Sequence, residues 1–180
     1  MIRGQIYFLT RSYPPTDQTG GSLARKMQVD YLTSLGYKVI VVTINKASHN
    51  IDHSGAIISI PNPVSDKITR RLEKVGFLSD YLTFWVRGAY KYLKDIITSK
   101  DIIFATSGGE LGSYKLASIL RKKLDCSIVY SAHDPLLGTK VNNDLIFGGS
   151  SRKNRDGLEY RYMKCADAII TSSKSFSILL

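Results

Sequence analysis

The sequence contains few cysteines, few acidic residues and no long hydrophobic stretch. Its 180 residues include only two cysteines, Cys126 and Cys165, which are too few for a disulfide framework and are not at metal-ligand spacing. We expect both to be reduced thiols. The apolar runs are short, Val39–Val42 being among the longest, whereas a transmembrane helix needs ~20 apolar residues. These absences argue against a disulfide-rich protein and against a membrane-spanning one.

Positive charge exceeds negative charge by a wide margin. There are 25 Lys and Arg residues against 15 Asp and Glu, a formal net charge of +10. Hydrophobic residues make up 43% of the chain and charged residues 22%, which is ordinary globular usage and argues against wholesale disorder. The length suits one domain with a good-sized core. The charge favours an anionic partner, namely nucleic acid, membrane headgroups or a phosphate-bearing substrate.

Short β-branched runs alternate with longer amphipathic segments. In the first amphipathic segment, Leu23, Ala24, Met27, Tyr31 and Leu35 recur at helical spacing, and we expect them to form its buried face. The alternation predicts an α/β fold, a Rossmann-like doubly wound and mostly parallel sheet with helices on both faces. The predicted strands are 5–10, 38–44, 56–60, 101–105, 127–132 and 168–171; the predicted helices are 22–35, 109–124, 157–165 and 174–180, with one broken or two successive helices within 64–99 and a long polar stretch at 135–156.

Three loops follow predicted strands at the edge where such sheets bind ligands. The first places Gly20 and Gly21 before a helix, where backbone N–H groups can approach a diphosphate or sugar phosphate; a flexible turn is the alternative. The second contains Ser107 and Gly108. Its glycines are wrongly spaced for a dinucleotide fingerprint, so we expect it to line the same cleft without binding nicotinamide or flavin.

The third loop begins with His133 and Asp134. Such a pair at a strand's carboxyl end can supply a hydrogen-bond donor, a general base or a contact to a sugar hydroxyl. The alternative is a structural histidine and a capping aspartate. No metal site is expected, because His49 and His53 have no Cys or acidic partner at ligand spacing.

Several segments occur together in a familiar order. Tyr13-Pro14-Pro15 follows the first strand, then come Gly20-Gly21 and a helix ending in Leu35-Gly36-Tyr37-Lys38-Val39; later come Ile128 to Asp134 and Cys165 to Ser173. This series resembles the N-terminal domain of family 4 retaining glycosyltransferases of the GT-B fold, with their Y-P-P…G-G loop, L-G-H-E-V helix end, strand-H-D element and A-D-x-I-x-x-x-S segment. Tyr37 and Lys38 replace the commoner His and Glu.

The resemblance implies a two-domain enzyme with the active site between the domains. Residues 1–180 would form the acceptor-side domain, with the donor-binding C-terminal domain outside this sequence and the chain alone inactive. The enzyme would move a sugar from a nucleotide-sugar to a glycan or lipid-linked acceptor with retention, without cofactor or metal. Gly20 and Gly21 would approach the donor diphosphate, His133 the donor sugar, and Asp134 would orient the acceptor.

A basic amphipathic segment follows the third predicted strand. Lys67, Arg70, Arg71 and Lys74 alternate with apolar residues and precede several aromatics, a pattern typical of helices that lie on anionic membranes. The alternative is a solvated helix with the aromatics in the core. Nucleic-acid binding is set aside because no recognised module appears. We expect a cytoplasmic protein at the inner membrane face; the alternatives are a GT-B sugar-nucleotide epimerase and a non-catalytic module that binds membranes or acidic polymers.

Overall fold

The computed structural model describes residues 4–45, 51–133, 140–141, 144–145 and 150–171. In that part of the chain, strands and helices alternate as predicted. The strands are β1 (Ile6–Leu9), β2 (Val39–Asn45), β3 (Asp52–Ser54), β4 (Ile57–Pro61), β5 (Ile102–Ser107), β6 (Ser127–Ala132), β7 (Lys140–Val141), β8 (Asp144–Leu145) and β9 (Ala168–Thr171). The helices are α1 (Gly20–Ser34), α2 (Asp66–Lys74), α3 (Thr83–Leu93), α4 (Gly112–Leu124) and α5 (Ser150–Met163).

Six of the strands form a parallel sheet in the order β4-β2-β1-β5-β6-β9. The short strand β3 adds to one edge by antiparallel pairing with β4. β1 lies in the middle, with Phe8 opposite Val41 on one side and Phe104 on the other. The predicted α/β, Rossmann-like doubly wound sheet is therefore confirmed.

Helices cover the two faces of the sheet unequally. Because successive side chains of a strand point to opposite faces, β1 places Ile6 and Phe8 in one core and Tyr7 and Leu9 in the other. The first core is closed by Val29 of α1. The second, larger core is closed by α3 and α4, with Met163 of α5 at its margin.

The predicted buried face of α1 is wrong. Leu23, Met27, Tyr31 and Leu35 are exposed, Met27 by 72%, and Ala24 is half-buried. The helix instead buries Ser22, Arg25 and Val29. The physical reason is that the Arg25 guanidinium meets the buried carboxylate of Glu110, and a buried charge needs such a partner. The helix ends as expected, since Gly36 follows it with a φ of +84°.

Other boundaries differ modestly from the prediction. The segment 64–99 forms two helices, α2 and α3, separated near Gly76, whose φ is +83°. Strand β3 was not predicted, and α5 begins at Ser150, inside the stretch expected to be polar loop. The predicted helix at 174–180 lies outside the described residues. No helix in the described ranges is both long and apolar enough to span a bilayer.

Candidate functional site

The order of strands reverses between β1 and β5. From β1 the chain moves to β2 and β4 on one side, and it later returns to β5 and β6 on the other. Loops that leave the carboxyl ends of two such neighbouring strands diverge, and ligands bind in the space between them. We call the carboxyl edge of β1 and β5, with the residues that follow these strands, the switch-point edge. Arg11, Gly20, Ser107 and Gly108 all belong to it.

Side chains and backbone groups of the first loop fix the start of α1. Thr19 caps the helix by accepting a hydrogen bond from the Ser22 backbone N–H at 3.4 Å. The hydroxyl of Ser22 donates to the Asp17 carbonyl at 2.7 Å, and the Asp17 carboxylate accepts the Thr19 N–H at 3.0 Å. The loop also contains a cis peptide bond between Pro14 and Pro15. These contacts place the N-terminus of α1 beside the switch-point edge.

Gly20 and Gly21 form the first turn of α1, and both are exposed. A Cβ on Gly20 would meet nothing within 4 Å, and one on Gly21 would lie 3.6 Å from Nη1 of Arg25. Packing within the protein therefore does not require glycine at either position. Helix propensity does not favour glycine there either. The first N–H groups of a helix lack intrahelical acceptors, so the open space beside these glycines can admit an anion.

Arg25 and Glu110 form a buried ion pair at the switch-point edge. Their side chains are 3% and 1% exposed, and Arg25 Nη2 lies 3.5 Å from Glu110 Oε1. Arg25 Nη1 also donates to the Ser12 hydroxyl at 2.7 Å. Burial lowers the pKa of Arg25 from its usual value, and the nearby carboxylate of Glu110 partly opposes this shift. The pair joins the helix after β1 to the loop after β5.

Arg11 is the accessible cation of this group. Its side chain is 33% exposed, and its Nη1 lies 3.8 Å from Glu110 Oε2. The same nitrogen donates to the Tyr81 hydroxyl at 3.0 Å. Burial acts to lower the pKa of Arg11, but Glu110 and Tyr81 outweigh it, so the net shift is upward. We name Arg11, Arg25, Glu110 and Tyr81 the arginine cluster.

Tyr81 is held in place by the residues on either side of it. The carboxylate of Asp80 accepts the Leu82 N–H at 2.8 Å and the Leu111 N–H at 2.7 Å. Gly112 then packs so closely that a Cβ there would lie 2.5 Å from Cβ of Leu82. Burial, followed by the negative charge of Glu110, raises the pKa of Tyr81 to about 12. Its phenol is therefore neutral at physiological pH.

The second loop contributes mainly internal contacts. The Ser107 hydroxyl donates to the Glu110 carbonyl at 2.6 Å and accepts the Gly109 N–H at 3.3 Å. A Cβ on Gly108 would lie 2.8 Å from Nη2 of Arg25. Both residues thus lie at the switch-point edge where the sequence predicts them, and they support the Arg25–Glu110 pair.

The third loop reaches the same edge through His133. Its backbone N–H donates to the Ser107 carbonyl at 3.2 Å, and the side chain is half-buried. Two residues earlier, within β6, the Ser131 hydroxyl accepts a hydrogen bond from the Gln28 side chain of α1 at 3.1 Å. Asp134, predicted to act with His133, lies outside the described residues.

The basic segment forms α2 and exposes both charged and apolar side chains. Lys67, Arg71 and Lys74 are exposed, as are Ile68, Val75 and Phe77, the last by 81%. We call these six residues the α2 surface. Arg70, predicted with them, is also exposed, but its guanidinium lies over the Tyr81 ring, with Cζ 3.9 Å from the ring centroid. The aromatic residues that follow α2 differ in burial, because Tyr81 and Trp85 are buried whereas Phe77 is exposed.

Sequence reasoning missed the arginine cluster. Arg25 lies three residues after Ser22 and four before Val29, which is helical spacing for one face, but an apolar pattern does not predict that a charged residue is buried. Glu110 stands inside the second loop, where the glycines dominate the sequence pattern. The available signal is that Glu110 is the single charged residue between β5 and α4.

Among the described side chains, no group of three or more His, Cys, Asp or Glu residues is placed so that it could hold a metal ion. A scan of this chain against models of known protein families finds no match, and neither does a search of curated proteins. The chemistry of the switch-point edge therefore has to be argued from its geometry. That edge combines an open helix N-terminus, a partly exposed guanidinium and a half-buried histidine, a set suited to an anionic, hydroxyl-bearing ligand.

Proposed function

We propose that this chain is the acceptor-side domain of a retaining glycosyltransferase, which moves a sugar from a nucleotide-sugar to a glycolipid or polysaccharide acceptor. The carrying observation is that the loops after β1 and β6, which belong to the resemblance, lie at one edge of the sheet together with the loop after β5. In this proposal Gly20 and Gly21 lie against the donor diphosphate, and His133 contacts the donor sugar or leaving group.

The glycines supply the most specific support. Their conformation does not call for glycine, because neither has a positive φ, and the surrounding protein leaves room for a side chain. Glycine is nevertheless present twice in the first turn of the helix, although alanine is the better helix former. Close approach by a ligand's diphosphate would explain why the space is kept open.

The test is sugar transfer by the complete protein, measured as release of nucleoside diphosphate from a panel of nucleotide-sugars. Gly21→Val and His133→Ala should each lower turnover by at least about tenfold, equivalent to 1.4 kcal/mol of lost transition-state stabilisation. Met27→Gln, on the exposed face of α1, is the matched control and should keep wild-type turnover. If either site variant transferred sugar at the wild-type rate, the corresponding site assignment would be withdrawn.

A second candidate function is binding to an anionic membrane, and the α2 surface favours it. Exposed apolar side chains beside basic ones let a helix enter the interface while its charges contact headgroups. Each basic residue near such a surface contributes about 1 kcal/mol. The function is compatible with glycosyl transfer to a lipid-linked acceptor, and it also stands alone as a non-catalytic role.

Co-sedimentation with phosphatidylglycerol vesicles across a salt series tests this second function. The triple variant Lys67/Arg71/Lys74→Gln should lose most binding at low salt, and Phe77→Ser should weaken binding at every salt concentration. The control Lys91/Lys122/Lys123→Gln removes the same charge from exposed positions on α3 and α4. Equal losses for the two triple variants would mean that net charge, and not the α2 surface, drives the association.

A further inference from the structure

Arg11 and Arg70 come from different elements and meet on one tyrosine. Arg11 follows β1 and donates to the Tyr81 hydroxyl at 3.0 Å. Arg70 lies in α2, and its guanidinium carbon is 3.9 Å from the centroid of the same ring. Tyr81 is almost fully buried, so both cations contact a fixed support, although the Arg70 side chain itself is exposed.

Each carboxylate near these two cations already has at least one ionic or hydrogen-bonding partner. Glu110 lies closer to Arg25, at 3.5 Å, than to Arg11, at 3.8 Å. The carboxylate of Asp80 accepts two backbone N–H groups, and that of Asp17 accepts one. Among the described residues Arg70 forms no ion pair.

The buried part of the network also has unused hydrogen-bonding capacity. Two buried polar atoms of the cluster, Nε of Arg25 and Oε2 of Glu110, have no hydrogen-bond partner in the part of the chain that the structure describes. Native proteins satisfy most buried polar groups, and an exception calls for an explanation. A ligand or a water molecule that reaches the cluster would supply one.

Two guanidinium groups that converge from separate elements suit one kind of ligand. Each presents a planar fork of donors that matches phosphate oxygens in pairs. A phosphate monoester or diphosphate carries enough charge and enough oxygens for both forks, whereas a lone carboxylate offers two oxygens and one charge. The neutral phenol of Tyr81 between them adds no repulsion.

We propose that Arg11 and Arg70, anchored on Tyr81, bind a phosphate group of a substrate at the switch-point edge. The phosphate belongs either to a soluble molecule or to a lipid headgroup, since both present the same oxygens. The assignment of this phosphate to the sugar acceptor rests on the proposed function; the anion site itself does not.

Calorimetric titration of the protein with inorganic pyrophosphate at low salt tests the site. Arg11→Gln and Arg70→Gln should each bind about tenfold more weakly than wild type, as expected for loss of a charge-assisted hydrogen bond. Lys122→Gln removes one charge from an exposed position near the opposite end of α4 and should bind within about twofold of wild type. Arg70 is exposed, so its variant should fold even if Arg11→Gln does not.

Two outcomes overturn the inference: wild-type protein that does not bind pyrophosphate, and equal weakening in Arg70→Gln and Lys122→Gln. Competition then identifies the source of the phosphate. Displacement of pyrophosphate by phosphatidic acid vesicles, but not by neutral vesicles, indicates a lipid-borne phosphate, and lack of displacement indicates a soluble one; both support the site. Pyrophosphate binding with no sugar transfer would refute the proposed function alone, and transfer without pyrophosphate binding would refute this inference alone.

Discussion

At the scale of single residues, Gly112 is the glycine with the clearest steric requirement in the switch-point edge. A methyl group there would lie 2.5 Å from Cβ and 2.8 Å from Cδ1 of Leu82. Because Cβ of Leu82 cannot swing away, Gly112→Ala should destabilise the protein by about 1–3 kcal/mol, the usual cost of overpacking. Gly20→Ala, which meets nothing, should be neutral or stabilise by up to about 1 kcal/mol. Urea denaturation compares the two, and equal effects would contradict the close contact.

Glu110 is the residue on which the buried charge of Arg25 depends. Glu110→Gln leaves a guanidinium that is 3% exposed without its counter-charge, and the expected loss of folding free energy is about 3–5 kcal/mol. The double variant Glu110→Gln/Arg25→Met removes both charges and should recover much of that loss. The measurement is again the free energy of unfolding in urea. A double variant no more stable than Glu110→Gln would show that the pair is not the source of the effect.

At the scale of elements, the orientation of α1 is a direct test of how the helix packs. Val29→Ala, on the buried face, should cost about 1–3 kcal/mol. Met27→Gln and Tyr31→Gln, on the exposed face, should stay within about 0.5 kcal/mol of wild type. The free energy of unfolding of the three variants, measured by heat or urea, tests this orientation. If the apolar face of α1 were buried, Met27→Gln and Tyr31→Gln would destabilise the protein more than Val29→Ala.

Strand β9 is attached to β6 through Asp167. Its carboxylate accepts from the guanidinium of Arg121 and from the Ile128 N–H, and these two contacts, the arginine first, lower its pKa below 3.8. Since the folded state prefers the ionised form, the stabilisation is present above pH 4 and is lost as pH falls through the lowered pKa.

Asp167→Asn should therefore be less stable than wild type at pH 7, by no more than about 1 kcal/mol because the side chain is 45% exposed. The gap between the two proteins should narrow as pH falls below 4. Urea midpoints measured from pH 7 to pH 2.5 give the result. A gap independent of pH would mean that the carboxylate's charge contributes nothing.

The sequence predicts an element's bounds well where the residue types inside the element differ from those on either side. β6 and β9 have the predicted bounds because each is a short run containing β-branched residues between polar segments. α1 is predicted as a helix but with the wrong face, because periodicity registers apolar side chains and cannot register that Glu110, eighty-five positions away, will hold Arg25 in the interior. The loops of the site are predictable from the fold, whereas the arginine cluster depends on contacts between segments far apart in sequence.

At the scale of the whole molecule, the protection of backbone amides from hydrogen exchange should fall from the centre of the sheet to its edges. β1 is paired on both sides and buried on both faces, whereas β3 is a short edge strand and β9 exposes Ile169 and Ile170. Native-state hydrogen exchange should find slow amides in β1 and β5 and fast ones in β3 and β9. If β9 exchanged as slowly as β1, its exposed side chains would have to be buried by something other than the described residues.

The Asp80 carboxylate joins the segment before α3 to the start of α4, and Gly112 closes the remaining gap. Tyr81 therefore loses its conformational freedom when the chain folds, before any ligand arrives. Tyr81, which Arg11 and Arg70 both contact, needs little further ordering on binding. The entropy lost on binding should therefore come mainly from the phosphate-bearing ligand and from the two arginine side chains. Association at this edge would then be limited by electrostatically steered encounter, with a rate that depends on ionic strength and not on a loop movement.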